Sequence, residues 1–172
     1  AHLGSRVLLI TMDMTKIAQM SCNPAIGGIA KGQLVREIDA LGGEMAKTTD
    51  KSAIQYKTLN TKKGPAVHSS RTQNDKNRYH MVMKHVIEQE PNIDLKQAMV
   101  ERLVVAGDKV AGVEEATGFG YQADAVVLAT GTFLRGLVHI GFKSIKAGRA
   151  GEFAAYGLAV DLKQLGFQLG RM

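Results

Sequence analysis

The sequence predicts an α/β fold into which an antiparallel β-meander is inserted, and three features support this prediction. Two apolar runs, at residues 6–11 and 125–129, are typical of strands buried on both faces of a parallel sheet. Helical patterns with one apolar face occur in both halves of the chain. Between them, residues 93–122 form short strand-like runs separated by turn residues, as in consecutive hairpins. This order indicates a wound sheet with a late parallel strand.

The composition excludes several classes of protein. With 172 residues, 45% apolar and 22% charged, the chain is long enough for one domain with a core. No apolar run approaches the ~20 residues that cross a bilayer, so we expect no membrane association. The single cysteine, Cys22, excludes an internal disulfide and fits a reducing cytoplasm. No Cys/His cluster has the spacing of a metal site, so we expect no metal.

The first half of the chain is predicted to alternate between strands and helices. Gly42 and Gly43 end the first full helix, and Pro91 ends the second. Thr72 is the expected N-cap of the second helix, with Asp75 in its first turn. The predicted elements are a helix end at 1–4, a strand at 6–11, a helix at 30–41, a strand at 53–59, a basic loop at 60–65 and a helix at 72–89.

The second half begins with the meander and returns to α/β character. Gly107-Asp108 and Thr117-Gly118 are the turn signals within the meander. The predicted elements are strands at 93–99, 100–106, 109–115, 120–122, 125–129 and 137–140, a loop at 148–151 and a helix at 153–165.

A glycine-rich segment at residues 21–32 is the first candidate site. Small residues before a helix leave backbone N–H groups free to face an anion, and Lys31 adds a positive charge. Cys22 lies near the same helix start and lysine, a setting that makes a thiol more reactive. The alternatives are a plain turn that starts a helix and a cysteine that only packs.

Basic residues are concentrated in one window of the sequence. The net charge is +6, and residues 57–80 hold six Lys/Arg against one acid. Such a surface favours a polyanion, either a nucleic acid or a phosphorylated cofactor. The alternative is a solvated face, which is the commoner meaning of a charge run.

A third candidate is the turn at Thr130-Gly131-Thr132, which leaves the apolar run 125–129. At such a turn a wound sheet presents its backbone to a nucleotide. The run 6–11 ends in Thr11, where such folds usually carry an acid for the ribose hydroxyls. No G-x-G-x-x-G motif is present in these residues. Arg149, between glycines, could contact a phosphate or be an ordinary exposed arginine.

Several long motifs, taken together, resemble the glucose-inhibited division protein A family. Arg71, Gln73 and Asp75 belong to the same pattern. The motifs follow in order along essentially the whole chain: SCNPAIGGIAKG (21–32), EIDALGG (37–43), LNTKKGPAV (59–67), EQEPN (88–92), AVVLATGTFLRG (125–136), HIG (139–141) and GRAGE (148–152).

The resemblance implies a partial, Rossmann-like FAD-binding domain over residues 1–172. It would lack the family's N-terminal Gly-rich strand-turn-helix and its C-terminal parts. Members of the family use FAD, NADH and methylenetetrahydrofolate. With a partner GTPase they build an aminomethyl or carboxymethylaminomethyl group on the wobble uridine of tRNA, as cytoplasmic homodimers. The resemblance therefore implies that the parent protein is the enzyme and that these residues alone are inactive.

The resemblance also implies roles for individual residues. Cys22 corresponds to a family cysteine that acts near the flavin. The residues expected to line the cofactor site are Thr11, Asn23, Gly27, Gly28, Lys31, Val100, Thr130, Gly131, Thr132 and Ala155. The residues expected on the basic surface for tRNA or flavin phosphate are Lys62, Lys63, Arg71 and Arg78. His68 stands where the family usually has arginine, which weakens the expected contact with an anion.

Two other functions remain open from the sequence. The chain could be a non-catalytic, basic RNA-binding module of the same fold, which would bind tRNA in a salt-dependent way and carry no flavin. It could also resemble the folate- and FAD-dependent tRNA uracil methyltransferase, although the string CNPAIGG favours the first family.

Overall fold

The computed structural model describes residues 1–149 and 151–171, and the chain divides into two units, Ala1–Lys96 and Gln97–Met172. Each unit has its own sheets and helices. The helices are α1 Lys31–Ala40, α2 Met45–Ser52, α3 Lys76–Gln89 and α4 Gly157–Gln164. The strands are β1 Val7–Thr11, β2 Ala25–Gly27, β3 Ala53–Leu59, β4 Ser69–Asn74, β5 Ile93–Gln97, β6 Val100–Ala106, β7 Lys109–Glu115, β8 Gly120–Gln122, β9 Val138–Ile140 and β10 Lys143–Ile145.

The first unit is built on a three-stranded antiparallel sheet in the order β2-β4-β3. Helices α1 and α2 pack on it, and α3 packs on α2. The buried residues of this packing include Tyr79, Thr48 and Ser52. Burial raises the pKa of the Tyr79 hydroxyl above its ordinary value. Strands β1 and β5 pair with each other in a separate two-stranded sheet.

The second unit contains the meander β6-β7-β8 and the hairpin β9-β10, both antiparallel. Helix α4 packs on β6, and its buried face carries Leu158, Ala159 and Leu162. The backbone N–H of Leu103 donates a 2.8 Å hydrogen bond to Asp161 on the same helix. This contact joins the helix to an interior position of the strand.

Many predicted elements are confirmed. Strands β3, β6, β7 and β8 have the predicted bounds, and α1 lies within the predicted helix. The loop predicted at 148–151 includes residue 150, which lies outside the described residues. The last helix is shorter than predicted, because it begins at Gly157 rather than at residue 153. Helix α2 and strands β2, β4 and β10 were not predicted.

Other predictions were wrong. Residues 125–129 form no strand, and Val127 is 89% exposed, because no neighbouring strand in the described chain supplies hydrogen bonds to them. β1 pairs with β5 alone and is only partly buried. The run at 93–99 therefore belongs to that pair and not to the meander.

The predicted start of the second helix was also wrong. Thr72 lies in the middle of β4, and the N-cap is Asp75, whose side chain accepts a 2.9 Å hydrogen bond from the N–H of Arg78. Both residue types are good N-caps, and the polar strand SSRTQN has no apolar alternation to reveal it. Arg71 is therefore a strand residue and does not precede the first turn of α3.

Candidate functional site

The glycine-rich segment contains a short strand, β2, whose last residue is Gly27. Gly27 pairs with Arg71 in β4, and the N–H of Gly28 donates a 2.8 Å hydrogen bond to the carbonyl oxygen of Ser70. Gly27 and Gly28 have φ values of +88° and +103°, a region that glycine adopts without strain. The chain therefore turns sharply from the sheet into α1.

The Cβ side of Gly28 is open. A Cβ added there would meet nothing within 4 Å, whereas one added to Gly27 would collide with the Ser70 carbonyl. Gly28 thus leaves bare backbone that a ligand could approach. Lys31 begins α1 and is exposed, and Ala30, the residue before it, provides no side-chain cap. The first N–H groups of α1 and the lysine together give this turn positive potential.

Cys22 and Asn23 lie just before β2 and are exposed. The carbonyl oxygen of Cys22 accepts a 3.3 Å hydrogen bond from Nζ of Lys76, at the start of α3. The carbonyl oxygen of Asn23 accepts a 2.8 Å hydrogen bond from the N–H of Ala25. A lysine does contact the cysteine backbone, but it is Lys76, where the sequence had suggested Lys31.

Thr11 ends β1 in a local turn. Its hydroxyl donates to the carbonyl oxygen of Asp13 at 3.3 Å and accepts from the Asp13 N–H at 3.4 Å. The structure therefore uses the Thr11 side chain to shape the chain after the strand.

The basic residues fall on three different parts of the first unit. Arg71 lies in β4, whereas Lys62 and Lys63 are exposed in the turn that joins β3 to β4. Arg78 lies in the first turn of α3 and is exposed. Sequence reasoning left Lys57 out of the site, although the β3–β4 register places it opposite Arg71. Its place inside the basic window was the signal that could have identified it.

In the second unit, the candidate turn is a 3₁₀ turn at Gly131–Phe133, with Thr130 at its N-cap. Gly131 has φ +54°, and a Cβ there would meet nothing within 4 Å. Ala155 is buried, and its N–H donates a 2.9 Å hydrogen bond to the carbonyl oxygen of Phe133 in this turn. The structure thus brings the turn at 130–132 and Ala155 together.

Arg149 supports the same turn, and the sequence did not show this. Its guanidinium lies 5.0 Å from the centre of the Phe133 ring and donates a 2.9 Å hydrogen bond to Glu152. Its side chain is only 22% exposed, so it is not an ordinary exposed loop arginine. A Cβ on Gly148 would collide with the Phe133 ring. Phe133 therefore packs against Gly148 and Arg149 of the GRAGE motif.

Val100 begins β6, where it pairs with Glu115 in β7. Its neighbour Glu101 lies against Gly157, the first residue of α4. Farther along the same pair of strands, Arg102 forms two hydrogen bonds with Glu114, at 2.8 and 2.6 Å. The hydrogen bond from Arg102 lowers the pKa of the Glu114 carboxyl.

Two of the candidate glycines leave bare backbone that a ligand could approach. Gly28 and Gly131 each expose backbone on an open side, as close approach of a ligand to the chain requires. Residues 1–149 and 151–171 contain no group of three or more His, Cys, Asp or Glu that could hold a metal ion. Among those same residues, no helix is long and apolar enough to cross a membrane.

Comparison with known proteins gives a consistent result. The sequence model of the family described as glucose inhibited division protein A matches residues 1–172. A protein of Syntrophobacter fumaroxidans named tRNA uridine 5-carboxymethylaminomethyl modification enzyme MnmG is 60% identical over this whole chain, which covers 27% of it. A protein of the same name from Syntrophotalea carbinolica is 54% identical, and this chain covers 28% of it. The chain therefore spans little more than a quarter of these relatives.

Solved structures agree with the sequence relatives. Aquifex aeolicus GidA superimposes with a TM-score of 0.92 at 48% identity, over 96% of this chain and 28% of that protein. A GidA-related protein from Thermus thermophilus superimposes with a TM-score of 0.63 at 22% identity, over 97% of this chain and 60% of that protein. The second similarity concerns the fold alone.

Proposed function

Because this chain belongs to the glucose inhibited division protein A family, we propose that it is the partial FAD-binding domain of an enzyme that modifies the wobble uridine of tRNA. The full-length enzyme, as we use the term below, is the longer protein that this proposal implies. The observation that carries the proposal is the match of the family across all 172 residues. Named relatives over 50% identical along the whole chain support it.

The two open glycine positions are the proposed contacts to FAD. In each unit, backbone N–H groups next to Gly28 or Gly131 would face the cofactor, and Lys31 would balance negative charge of its phosphates. Thr11, Asn23, Gly27, Val100, Thr130, Thr132 and Ala155 complete the proposed set. When bound, the flavin would supply redox chemistry, with NADH and methylenetetrahydrofolate as the co-substrates.

Cys22 is the proposed reactive residue. Its thiol is exposed and free, so it is available as a nucleophile near flavin or uracil. The hydrogen bond from Lys76 to its carbonyl oxygen holds this part of the chain and places a cation beside it. A residue that only packed would be expected to be buried.

The proposed partners follow from the same assignment. Lys62, Lys63, Arg71 and Arg78 would form the basic surface for tRNA. A tRNA-modification GTPase would act with the full-length enzyme, which would be a cytoplasmic homodimer. The cofactor, partner and location each add a separate way to test the proposal.

The test is to purify the full-length enzyme and record its absorbance spectrum and its activity on unmodified tRNA. We expect bound flavin and, with the GTPase and the co-substrates, an aminomethyl or carboxymethylaminomethyl group on the wobble uridine by mass spectrometry. The Cys22→Ser variant should keep its flavin and lose turnover. Full turnover in that variant would reduce Cys22 to a structural residue.

A second candidate function is a non-catalytic RNA-binding module. The run from residue 53 to residue 74, which has four Lys/Arg and no acid, favours it. This alternative predicts tRNA binding without flavin and without any modified nucleoside. A methyl group on a uridine outside the wobble position would instead indicate the folate-dependent methyltransferase.

A further inference from the structure

Strands β3 and β4, with the turn that joins them, form a hairpin that carries only positive charge. We call residues 53–74 the basic hairpin. It contains no Asp or Glu. The last paired residues before the turn are Leu59 and Ser69. Its cations are Lys57, Lys62, Lys63 and Arg71. Two of them lie in the turn, and two lie within the sheet.

Lys57 and Arg71 are directly opposite each other in this hairpin. Directly paired residues of antiparallel strands share one face, with Cβ atoms about 4.5–5.5 Å apart. Like charges in that position repel and destabilise a sheet. Neither residue forms an ion pair with any acid in the described part of the chain. The pair therefore costs stability and has no counter-charge in the unit.

The surroundings of the pair leave room for an anion. On the far side of Arg71 the third strand presents Gly27, which has no side chain. A groove of about 140 Å³ touches both residues of the pair, and its other lining residues, Tyr56, Thr58 and Ser70, alternate with them along the two strands.

A row of amides follows the charged row on the same face. Gln55 pairs with Gln73, two residues along each strand from Lys57 and Arg71. Each glutamine offers both donors and an acceptor. Such groups bond to ribose hydroxyls and to the edges of unstacked bases. The face thus combines two cations with a neutral hydrogen-bonding row.

We propose that the Lys57–Arg71 pair binds a phosphodiester of single-stranded RNA, with Gln55 and Gln73 contacting the adjoining sugar or base. This inference rests on the proposed function, because it assigns a place on this chain to the RNA substrate. The two cations meet one phosphate, and Lys62 and Lys63 extend the positive surface toward the turn. An acidic polypeptide would match the cations but would leave the glutamine row without a specific role.

The experiment measures the salt dependence of tRNA binding by the full-length enzyme. The test variant is Lys57→Gln with Arg71→Gln, and the control is Lys51→Gln with Lys96→Gln. Both double variants remove two charges from exposed or half-buried positions of the same unit. Each lost single-strand phosphate contact lowers the magnitude of the slope of log K against log salt by about 0.7, so for the one phosphate of this proposal we expect a decrease of about 0.7, in the test variant only.

Thermal unfolding shows whether the variants are folded, and a further variant, Lys57→Glu, serves as a second control. Removing the repulsion should leave the unfolding midpoint of the test variant unchanged or higher. Lys57→Glu creates an ion pair with Arg71 and lowers the net charge by two, as the test variant does, so it should fold at least as well as the unaltered enzyme and bind tRNA more weakly than that enzyme does. Weak binding by a well-folded protein separates loss of a contact from loss of structure.

The outcomes are distinguishable. Equal slopes in all proteins would overturn the assignment of this pair and leave the proposed function standing. No tRNA binding by the unaltered enzyme, even at low salt, would overturn both. Competition by poly-glutamate as strong as by an unstructured RNA of equal charge, and lost in the test variant, would identify an acidic polypeptide as the partner and overturn the RNA assignment.

Discussion

The N–H of Gly28 donates a 2.8 Å hydrogen bond to the carbonyl oxygen of Ser70, at the point where β2 runs beside β4. Gly27, one residue earlier, approaches the same carbonyl so closely that a Cβ would come nearer than 3.0 Å. Only glycine satisfies both the positive φ and the close approach. The segment that carries the proposed cofactor contacts therefore depends on this packing.

Gly27→Ala should destabilise the β2–β4 pairing more than its backbone conformation alone explains. A left-handed conformation costs an L-residue roughly 1–2 kcal/mol, and a clash in a packed region adds about 1–3 kcal/mol. Gly42→Ala is the control, because Gly42 has a similar φ of +84° and open space at its Cβ position. Hydrogen exchange of β2 and β4 in the full-length enzyme measures the local free energy of opening. Equal losses in the two variants would contradict a role for the clash.

Gly148→Ala should disturb the turn at Gly131–Phe133. The added methyl group would displace the Phe133 ring from beneath Arg149 and shift the turn that is proposed to contact FAD. We expect a lower flavin content per protein in the full-length enzyme and a larger dissociation constant for FAD. Gly170→Ala is the control, since neither its space nor its φ opposes a side chain. Unchanged flavin binding in Gly148→Ala would separate the GRAGE motif from cofactor binding.

Helix α3 offers a test of its N-cap. Asp75→Ala removes the acceptor for the Arg78 N–H and should lower the local stability of α3 by about 1 kcal/mol. Asp75→Asn retains an acceptor and should cost at most a few tenths. Hydrogen exchange of the first turn of α3 measures both. A loss of the same size in both variants would mean that the charge of Asp75, rather than its hydrogen bond, stabilises the helix.

The success of sequence reasoning depended on whether a signal was local. Strands β6, β7 and β8 were predicted with the observed bounds because Gly107 and Gly118 mark the turns between them. The strand predicted at residues 125–129 is absent. Its signal was not sufficient locally, because an apolar run becomes a strand only when a neighbour completes its hydrogen bonds. Strand β4 was missed because its residues are polar and are held in the sheet by pairing with β2 and β3 on both sides.

The same distinction applies to the candidate site. The positive φ of Gly27 and Gly131 agrees with what glycine-rich turns predict. The Lys57–Arg71 pairing depends on strand register, and the contact of Arg149 with Phe133 joins residues 16 positions apart. Neither could be obtained from spacing in the sequence. The individual cofactor and tRNA residues remain predictions that the experiments above address.

The Arg102–Glu114 pair predicts how stability changes with pH in the meander. Because the hydrogen bond from Arg102 lowers the pKa of Glu114, the carboxylate stabilises the folded state at pH values above the unfolded pKa of the group. That contribution is lost as the pH falls through the lowered pKa of the folded state. Glu114→Gln should therefore be less stable than the unaltered enzyme at neutral pH, and the difference should shrink below about pH 4, near the ordinary carboxyl range.

Hydrogen exchange of β6 and β7, corrected for the intrinsic effect of pH, measures this difference in stability. Glu37→Gln, at an exposed position on α1, should show no such trend. A constant difference between Glu114→Gln and the unaltered enzyme across this range would mean that the pair contributes through packing rather than charge.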